Sequence, residues 1–127
     1  MNPLTLEWVE KAEGDFITAR RELHARAKPN YDAACFHAQQ MAEKYLKAML
    51  QEFGLSVPKT HSLVDLNAVC VKVDPTMLLI NSDLNVMEGY AIQFRYPGQS
   101  AEREEAKQAV KAAQAVRLFI RGRMGLA

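Results

Sequence analysis

The chain has 127 residues, of which 49% are hydrophobic and 24% charged, and this length and composition suit a single domain with one core. Sixteen Lys and Arg residues balance 15 Asp and Glu residues, and the net charge of +1 excludes the strong overall field of a dedicated nucleic-acid binder. No uninterrupted apolar run approaches the roughly 20 residues that span a bilayer, so no membrane segment is expected.

The first predicted helix covers residues 3 to 27. Asn2 is a suitable N-cap residue, Pro3 fits the first helical position, and Pro29 cannot continue the helix. Asp15 lies on the inner edge of this helix, and because a lone carboxylate is costly to bury, we expect it to pair with a donor on the next helix. The apolar residues recur every three or four positions: Trp8, Ala12, Phe16, Ala19 and Leu23.

The second predicted helix begins after a cap at Asn30 and ends at Gly54. Its apolar residues cover an arc of about 160°, whereas about 100° suffices for a surface helix with one neighbour. We therefore expect this helix to lie at the centre of the fold, with Met41 and Tyr45 as core contacts. The opposite side carries a polar stripe at helical spacing, formed by His37, Gln40, Lys44, Lys47 and Gln51.

Two shorter predicted helices follow a connecting loop at residues 55–60. Ser62 is a suitable cap for the first of them. The pair Asp74-Pro75 opens the second, which is expected to run to about Asn81, with a broken continuation to Phe94 left open.

The last predicted helix follows a turn at Arg95-Tyr-Pro-Gly98, with Ser100 as its expected cap. Three arginines near its end, at positions 117, 121 and 123, are placed where positive charge suits a helix C-terminus. No stretch alternates as a strand does. The prediction is therefore an all-α fold, an up-and-down bundle of four to five helices in one domain over residues 1–127.

Common catalytic signatures are missing from the sequence, which lacks a Walker-type glycine loop, the dinucleotide fingerprint, paired C-x-x-C, H-E-x-x-H and the nucleophile elbow. Its three histidines, His24, His37 and His61, are far apart in sequence, so no metal site is predicted. Cys35 and Cys70 also lack the spacing of metal ligands and are expected to be reduced, buried residues of a cytoplasmic protein.

Four pieces of the sequence, taken in order, resemble HEPN domains, which are small all-helical modules of prokaryotes and some eukaryotes. The longest, Tyr31-x-x-Ala-Cys-Phe-His-Ala-Gln-Gln-Met-Ala-Glu-Lys-Tyr-Leu-Lys-Ala, resembles the second helix of these domains. The others are Trp8-Val-Glu-Lys-Ala-Glu-Gly-Asp15, Lys59-Thr-His-Ser-Leu63 and Arg95-Tyr-Pro97. Together they span nearly the whole chain, so the resemblance implies one HEPN-like helical domain.

The resemblance also bears on enzymatic activity. In HEPN domains that cut RNA, an arginine near the position of Arg95 is followed, after a short gap, by a histidine on the last helix. Here Tyr96 comes next, positions 100 to 102 are Ser, Ala and Glu, and no histidine follows His61. Because such cleavage uses imidazole for general acid or base work, the departure argues against an enzyme. A HEPN ribonuclease that uses Arg95 without the usual histidine stays open as the alternative.

The non-nuclease HEPN subset fits the sequence better. Its members are nucleotide-binding proteins or partners of small nucleotidyltransferases, as in toxin–antitoxin pairs. The resemblance therefore implies a nucleotide, an RNA or a nucleotidyltransferase-type protein as the ligand, and no cofactor. A homodimer is expected, because the wide arc of the central helix and a second apolar group exceed the needs of one core: Val86, Met87, Tyr90, Ile92 and Phe94.

The candidate ligand-binding residues are cationic, amide, imidazole and phenol side chains: Arg95, Tyr96, Lys44, Lys47, Gln40, His37 and His61. Arg95 and the two lysines are expected to share one positively charged site, because guanidinium and ammonium groups match phosphate oxygens. Plainer interpretations stay open. They are a solvated polar stripe, an arginine that binds helix-end carbonyls, and a His61 that caps the next helix or binds a nearby carbonyl.

Overall fold

Five α-helices and one 3-10 helix make up the fold in the computed structural model, which describes all 127 residues. The α-helices are α1 (Pro3–His24), α2 (Tyr31–Glu52), α3 (Leu63–Val73), α4 (Asn81–Met87) and α5 (Arg103–Met124), and the 3-10 helix (Pro75–Ile80) leads directly into α4. The absence of strands confirms the predicted all-α bundle. None of these helices combines the length and apolar character that crossing a membrane requires.

Side-chain caps begin α1, α2 and α3 where the sequence predicts them. Asn2, Asn30 and Ser62 each accept a hydrogen bond from a backbone N–H within the next three residues, at 2.8, 2.9 and 3.2 Å. Each bond satisfies a donor that has no partner inside the helix. The end of α1 is earlier than predicted, at His24 rather than residue 27, and the chain is already extended at Ala25.

A 3-10 helix replaces most of the predicted fourth helix, and a buried side chain of α3 binds its backbone. Asn67 donates a hydrogen bond to the carbonyl of Met77 at 3.0 Å, the carbonyl that the N–H of Asn81 would bind in a regular α-helix. The N–H of Asn81 binds the carbonyl of Leu78 instead, in the tighter 3-10 pattern.

Helix α4 ends at Met87 and does not continue to Phe94. Glu88 takes an extended conformation, and its carboxylate accepts hydrogen bonds from the N–H groups of Leu63 and Val64 at 3.0 Å each. These are among the unpaired donors at the start of α3, where negative charge is favoured. Contact with α3 therefore stops α4 and turns the chain toward Arg95.

The cap of α5 is Glu102, not the predicted Ser100. Glu102 and Glu105 form a capping box, in which each side chain accepts a hydrogen bond from the backbone N–H of the other. Just before it, Asp32 of α2 accepts a hydrogen bond from the N–H of Ala101 at 2.6 Å. Asp32 thus holds Ala101 before the helix, and α5 starts two residues later than predicted.

Helix α2 lies at the centre of the bundle, between α1 and α5, and also contacts α3 and α4. Met41 and Tyr45 are fully buried, as predicted. Because the apolar arc of α2 is covered by the chain's own helices, it does not supply a surface for a second copy. Cys35 and Cys70 are free and buried, and burial raises the pKa of both thiols to about 12.

An ion pair joins the two helices that flank α2. Arg117 of α5 donates two hydrogen bonds to the carboxylate of Glu13 of α1, both at 2.7 Å, and this pairing is the main reason that the pKa of Glu13 lies below its ordinary value. The hydroxyl of Tyr45 donates to the same carboxylate at 2.7 Å and accepts from Arg121 at 3.2 Å. Arg121 lies in the last turn of α5, as predicted, and also donates to the backbone carbonyl of Ala127 at 2.8 Å, so it acts at the helix end as well as on the neighbouring helices.

Shortening Met41 tests this arrangement of the core. Met41→Ala removes a fully buried side chain, and we expect it to lower the free energy of unfolding by about 2 to 5 kcal/mol, as measured by denaturant titration. Ile17→Ala is the control, because Ile17 is 55% exposed and its loss should cost about 0.5 kcal/mol or less. Equal effects of the two substitutions would contradict the central position of α2.

Candidate functional site

Two carboxylates organise the polar side of α2, Asp15 from α1 and Glu43 from α2 itself. The exposed fractions of these residues are only 9% and 4%. A carboxylate removed from water to this extent must be matched by hydrogen-bond donors. Three residues of the polar stripe predicted from the sequence, His37, Lys44 and Lys47, therefore bind these two carboxylates.

Asp15 is held by two side chains of α2. Its Oδ1 lies 2.8 Å from Nδ1 of His37, and its Oδ2 accepts a hydrogen bond from Nζ of Lys44 at 2.6 Å. His37 and Lys44 are two helical turns apart, so both reach the same side of α1. The prediction that Asp15 pairs with a donor on the central helix is confirmed.

Glu43 gathers three donors. Its Oε1 lies 2.9 Å from Nδ1 of His61 and 3.2 Å from Nε2 of Gln39, and its Oε2 accepts a hydrogen bond from Lys47 at 3.0 Å. Burial disfavours the ionised carboxylate, but the hydrogen bonds together outweigh burial and lower the pKa of Glu43 below its ordinary value of 4.5. His61 therefore binds a carboxylate and does not cap α3, where the cap is Ser62.

Gln39 fixes the loop that carries His61. Its Nε2 also donates to the backbone carbonyl of His61 at 3.1 Å, and its Oε1 accepts a hydrogen bond from Gln40 at 2.8 Å. Glu43 and Gln39 thus hold His61 by side chain and backbone alike. The imidazole remains 69% exposed and its second ring nitrogen has no protein partner.

Arg95 lies in the turn after α4, where it is exposed and its guanidinium has no hydrogen bond or ion pair within the protein. It borders two adjoining clefts. The smaller, of about 160 Å³, is also lined by Phe36, Gln40, His61, Ala91 and Ile92. The larger, of about 290 Å³, is also lined by Asn30, Asp32, Ala33, Phe36, Tyr90, Ala91 and Phe94.

Three of the sequence-predicted site residues therefore meet at one cleft: Arg95, Gln40 and His61. Lys44 and Lys47 line neither cleft beside Arg95, and each is paired with a carboxylate. Their ammonium groups pair with Asp15 and Glu43 and are therefore not free to bind a ligand. The positive charge at the cleft comes from Arg95 alone.

His37 and Tyr96 also lie outside these clefts. His37 is bound to Asp15, and its ring meets the ring of Phe36 edge to face with centroids 5.2 Å apart. It supports the cleft wall from behind. Tyr96 is 66% exposed and lines neither cleft.

Aromatic residues of the larger cleft were not predicted as a site. Phe36 lies off the apolar arc of α2, and a large ring outside the buried face of a helix is the signal that could have identified it. Tyr90 and Phe94, whose ring centroids are 5.4 Å apart, were assigned to a dimer surface instead. Both are half-buried. No group of His, Cys, Asp and Glu side chains is arranged to bind a metal ion.

Comparison with known proteins agrees with this geometry. A model of the HEPN domain matches residues 5–123. The structure of TT1696 from Thermus thermophilus is 28% identical in sequence, with a TM-score of 0.81 over 93% of this chain and 96% of that one. The structure of ST0689, an archaeal HEPN homologue, is 23% identical, with a TM-score of 0.74 over 94% and 96% of the two chains. Among curated proteins none matches significantly.

Replacing Glu43 tests the carboxylate network. Glu43→Gln keeps the shape but removes the charge, and we expect it to lower the free energy of unfolding by about 1.5 to 3 kcal/mol near neutral pH. Glu104→Gln is the matched control. Glu104 is 69% exposed, and its one ion pair, with Lys107 at 4.0 Å, is long and weak. Its effect should stay within about 0.5 kcal/mol.

The effect of Glu43→Gln should depend on pH in a defined direction. Because folding lowers the pKa of Glu43, its ionised form stabilises the folded state above the ordinary pKa of 4.5, and this contribution is lost as pH falls through the lower folded-state pKa. The difference between wild type and variant should therefore be full near neutral pH and shrink in acid. A difference that grew in acid would contradict the assignment.

Proposed function

The chain belongs to the HEPN domain family, and we propose that it is a non-catalytic member that binds a nucleotide beside Arg95 and acts with a nucleotidyltransferase-type partner. The observation that carries the proposal is the unpaired guanidinium of Arg95 between two clefts, in a region where Lys44 and Lys47 are already matched to carboxylates. An unpaired guanidinium gains most from an anionic ligand, because its donors fit phosphate oxygens two at a time.

The smaller cleft suits a phosphate group. Arg95 supplies charge and paired donors there, while Gln40 and the outer ring nitrogen of His61 supply further hydrogen-bonding groups. Its volume of about 160 Å³ is too small for a whole nucleotide, since sites for such ligands usually measure several hundred Å³. The phosphate would therefore occupy this cleft and the rest of the ligand would extend into the next one.

The larger cleft suits a base. Phe36, Tyr90 and Phe94 provide aromatic surface of the kind on which bases stack, and Asp32 provides an acceptor for a ring or amino N–H. The carboxylate of Asp32 would repel phosphate. We therefore expect the base to lie toward Asp32 and the phosphate toward Arg95 and His61.

The surroundings of Arg95 support a binding role over a catalytic one. RNA cleavage needs groups that donate and accept protons at the reacting atoms. The residues just before α5 are Ser100, Ala101 and Glu102, and the side chain of Glu102 is engaged in the capping box. His61 is then the one imidazole that borders a cleft next to Arg95.

That same imidazole favours a ribonuclease as the second candidate. His61 is oriented by Glu43 through Nδ1 and turns its other nitrogen outward, which is how a general base is commonly held. Arg95 borders the same cleft and could stabilise charge on a phosphate. In this version His61 takes the place of the histidine that the last helix lacks.

The proposed partner rests on the family resemblance. Non-nuclease HEPN proteins resemble subunits that pair with small nucleotidyltransferases, as in toxin–antitoxin systems, and a nucleotide held at Arg95 would lie where such a partner could reach it. The two free, buried cysteines are in keeping with a reducing cytoplasm. No cofactor is part of the proposal.

Nucleotide titration tests the role of Arg95. Arg95→Ala should weaken binding of AMP or ATP by about 10- to 100-fold, as expected for the loss of charge-assisted hydrogen bonds, and Arg95→Lys should weaken it less because lysine keeps the charge but not the paired donors. Calorimetry at two salt concentrations measures both effects. Arg21→Ala is the matched control, because Arg21 is exposed and lies outside both clefts.

Equal affinity in all four proteins would reject the site. A parallel assay with single-stranded RNA separates the two candidate functions. Cleavage that is lost in both Arg95→Ala and His61→Asn would establish the ribonuclease and overturn the non-catalytic proposal, whereas intact RNA together with nucleotide binding supports it.

We also propose that the protein forms a homodimer through exposed apolar side chains near Arg95. Ile92 is 60% exposed and Tyr96 is 66% exposed, while Met87, expected to contribute, is buried. Light scattering should return twice the chain mass of 14.3 kDa, and Ile92→Glu should shift the protein toward the monomer. Leu118→Glu, at a position that is 59% exposed on α5, is the control. A wild-type monomer at micromolar concentration would reject the dimer.

A further inference from the structure

The largest cleft of the molecule lies away from Arg95, between the second half of α1 and the first half of α5. Its volume is about 530 Å³, within the range of small-molecule sites. Four Arg and Lys side chains line it, against the single carboxylate of Glu104: Arg20, Arg103, Lys107 and Lys111. In a chain whose net charge is only +1, this concentration gives the cleft a local positive field.

These cations have almost no partners within the protein. The guanidinium of Arg20 contacts only the face of the Phe16 ring, 5.6 Å from its centroid. Lys107 lies 4.0 Å from Glu104, and both side chains are more than half exposed, so the pair is weak. Arg103 and Lys111 make no ion pair at all. Lys44, Lys47 and Arg117, by contrast, are each matched to a carboxylate.

Three of the cations form a row on α5 that faces Arg20 on α1. On α5 they recur every fourth residue, at positions 103, 107 and 111, so that successive charges are about 6 Å apart along one side of the helix. On α1, Arg20 and His24 repeat the same spacing on the opposite wall. A linear ligand with negative charges repeated along its length fits such a trough better than a single anion does.

An amide without a partner lies in the same cleft. Gln114 lines it, and the Oε1 of this side chain is buried without a hydrogen bond. The Oε1 of Gln114 can only accept a hydrogen bond, and the NH₂ group of the same amide is the part that can donate to a ligand oxygen.

We propose that this cleft binds a linear chain of phosphate groups, such as inorganic tripolyphosphate or the triphosphate of a nucleotide. Phosphate oxygens match the guanidinium and ammonium donors of both walls and the amide of Gln114. A nucleic acid strand fits less well, because Phe16, the one Phe, Tyr or Trp of the cleft, is only 5% exposed, which leaves the imidazole of His24 as the single ring on which a base could stack. The site is independent of the nucleotide site at Arg95.

Titration of the whole protein with inorganic tripolyphosphate tests this site. Binding should be saturable and should weaken as salt is raised. Arg20→Gln and Lys111→Gln should each weaken binding about tenfold, as expected for the loss of a charge-assisted hydrogen bond. Glu104→Gln should strengthen binding, because it removes the one opposing charge, and a purely structural role for these residues would not produce that gain.

Two controls separate this site from others. Arg21→Gln, on the same helix but outside the cleft, should leave tripolyphosphate affinity unchanged. Repeating the titrations in the Arg95→Ala background removes the phosphate site beside Arg95, so that the losses caused by Arg20→Gln and Lys111→Gln report on this cleft alone. Competition by ATP that persists in Arg95→Ala would identify the nucleotide triphosphate as a source of the ligand, and its absence would identify the inorganic chain. Both outcomes support the site.

Other outcomes would overturn the proposal. One is the lack of saturable tripolyphosphate binding at low salt, and another is binding that Arg20→Gln and Lys111→Gln leave unchanged. An RNA oligonucleotide that binds without competition from tripolyphosphate would point to nucleic acid instead. Equal binding of an oligoglutamate peptide would point to an acidic protein segment.

Discussion

The burial of α2 on several sides is the constraint on which the rest of the structure depends. Carboxylates that border such a helix must find their donors within the protein, because Asp15 and Glu43 are largely removed from water. These two carboxylates bind His37, Lys44, Lys47 and His61. The loop between α2 and α3 is shaped by this need, since His61 must reach back to Glu43.

The same constraint decides where the protein has free positive charge. Lys44 and Lys47 resemble a phosphate-binding pair in sequence, but the two carboxylates engage them in the folded state. Arg95 is not engaged by a carboxylate, because α4 ends where Glu88 binds the start of α3 and the chain leaves the helix before Arg95. It therefore lies in a turn, beside the cleft but outside the core. Arg95 is thus available to a ligand, because the carboxylates Asp15, Glu43 and Glu88 bind other groups.

Local signals were readable from the sequence, and distant partners were not. The caps Asn2, Asn30 and Ser62 and the burial of Met41 follow from spacing within one helix, so they were predicted. The 3-10 helix is bound by Asn67, which lies ten residues before the carbonyl that it contacts and on a different helix. The meeting of Arg95 with His61 and Phe36 depends on how helices pack, and periodicity within one helix contains no information on that. Pairing of Asp15 with α2 was predictable only because a buried carboxylate requires some donor.

The distribution of internal bonds also explains why a net charge of +1 says little about the local field. Many of the carboxylates accept hydrogen bonds that hold the fold together: Glu13, Asp15, Asp32, Glu43, Glu88 and Glu105. Fewer of the cations are needed in this way, because backbone N–H groups and neutral side chains satisfy part of the acceptors. The remaining arginines and lysines are left at the surface without partners. Where two helices bring several of them together, as α1 and α5 do around Arg20, a nearly neutral chain acquires a cleft of positive charge.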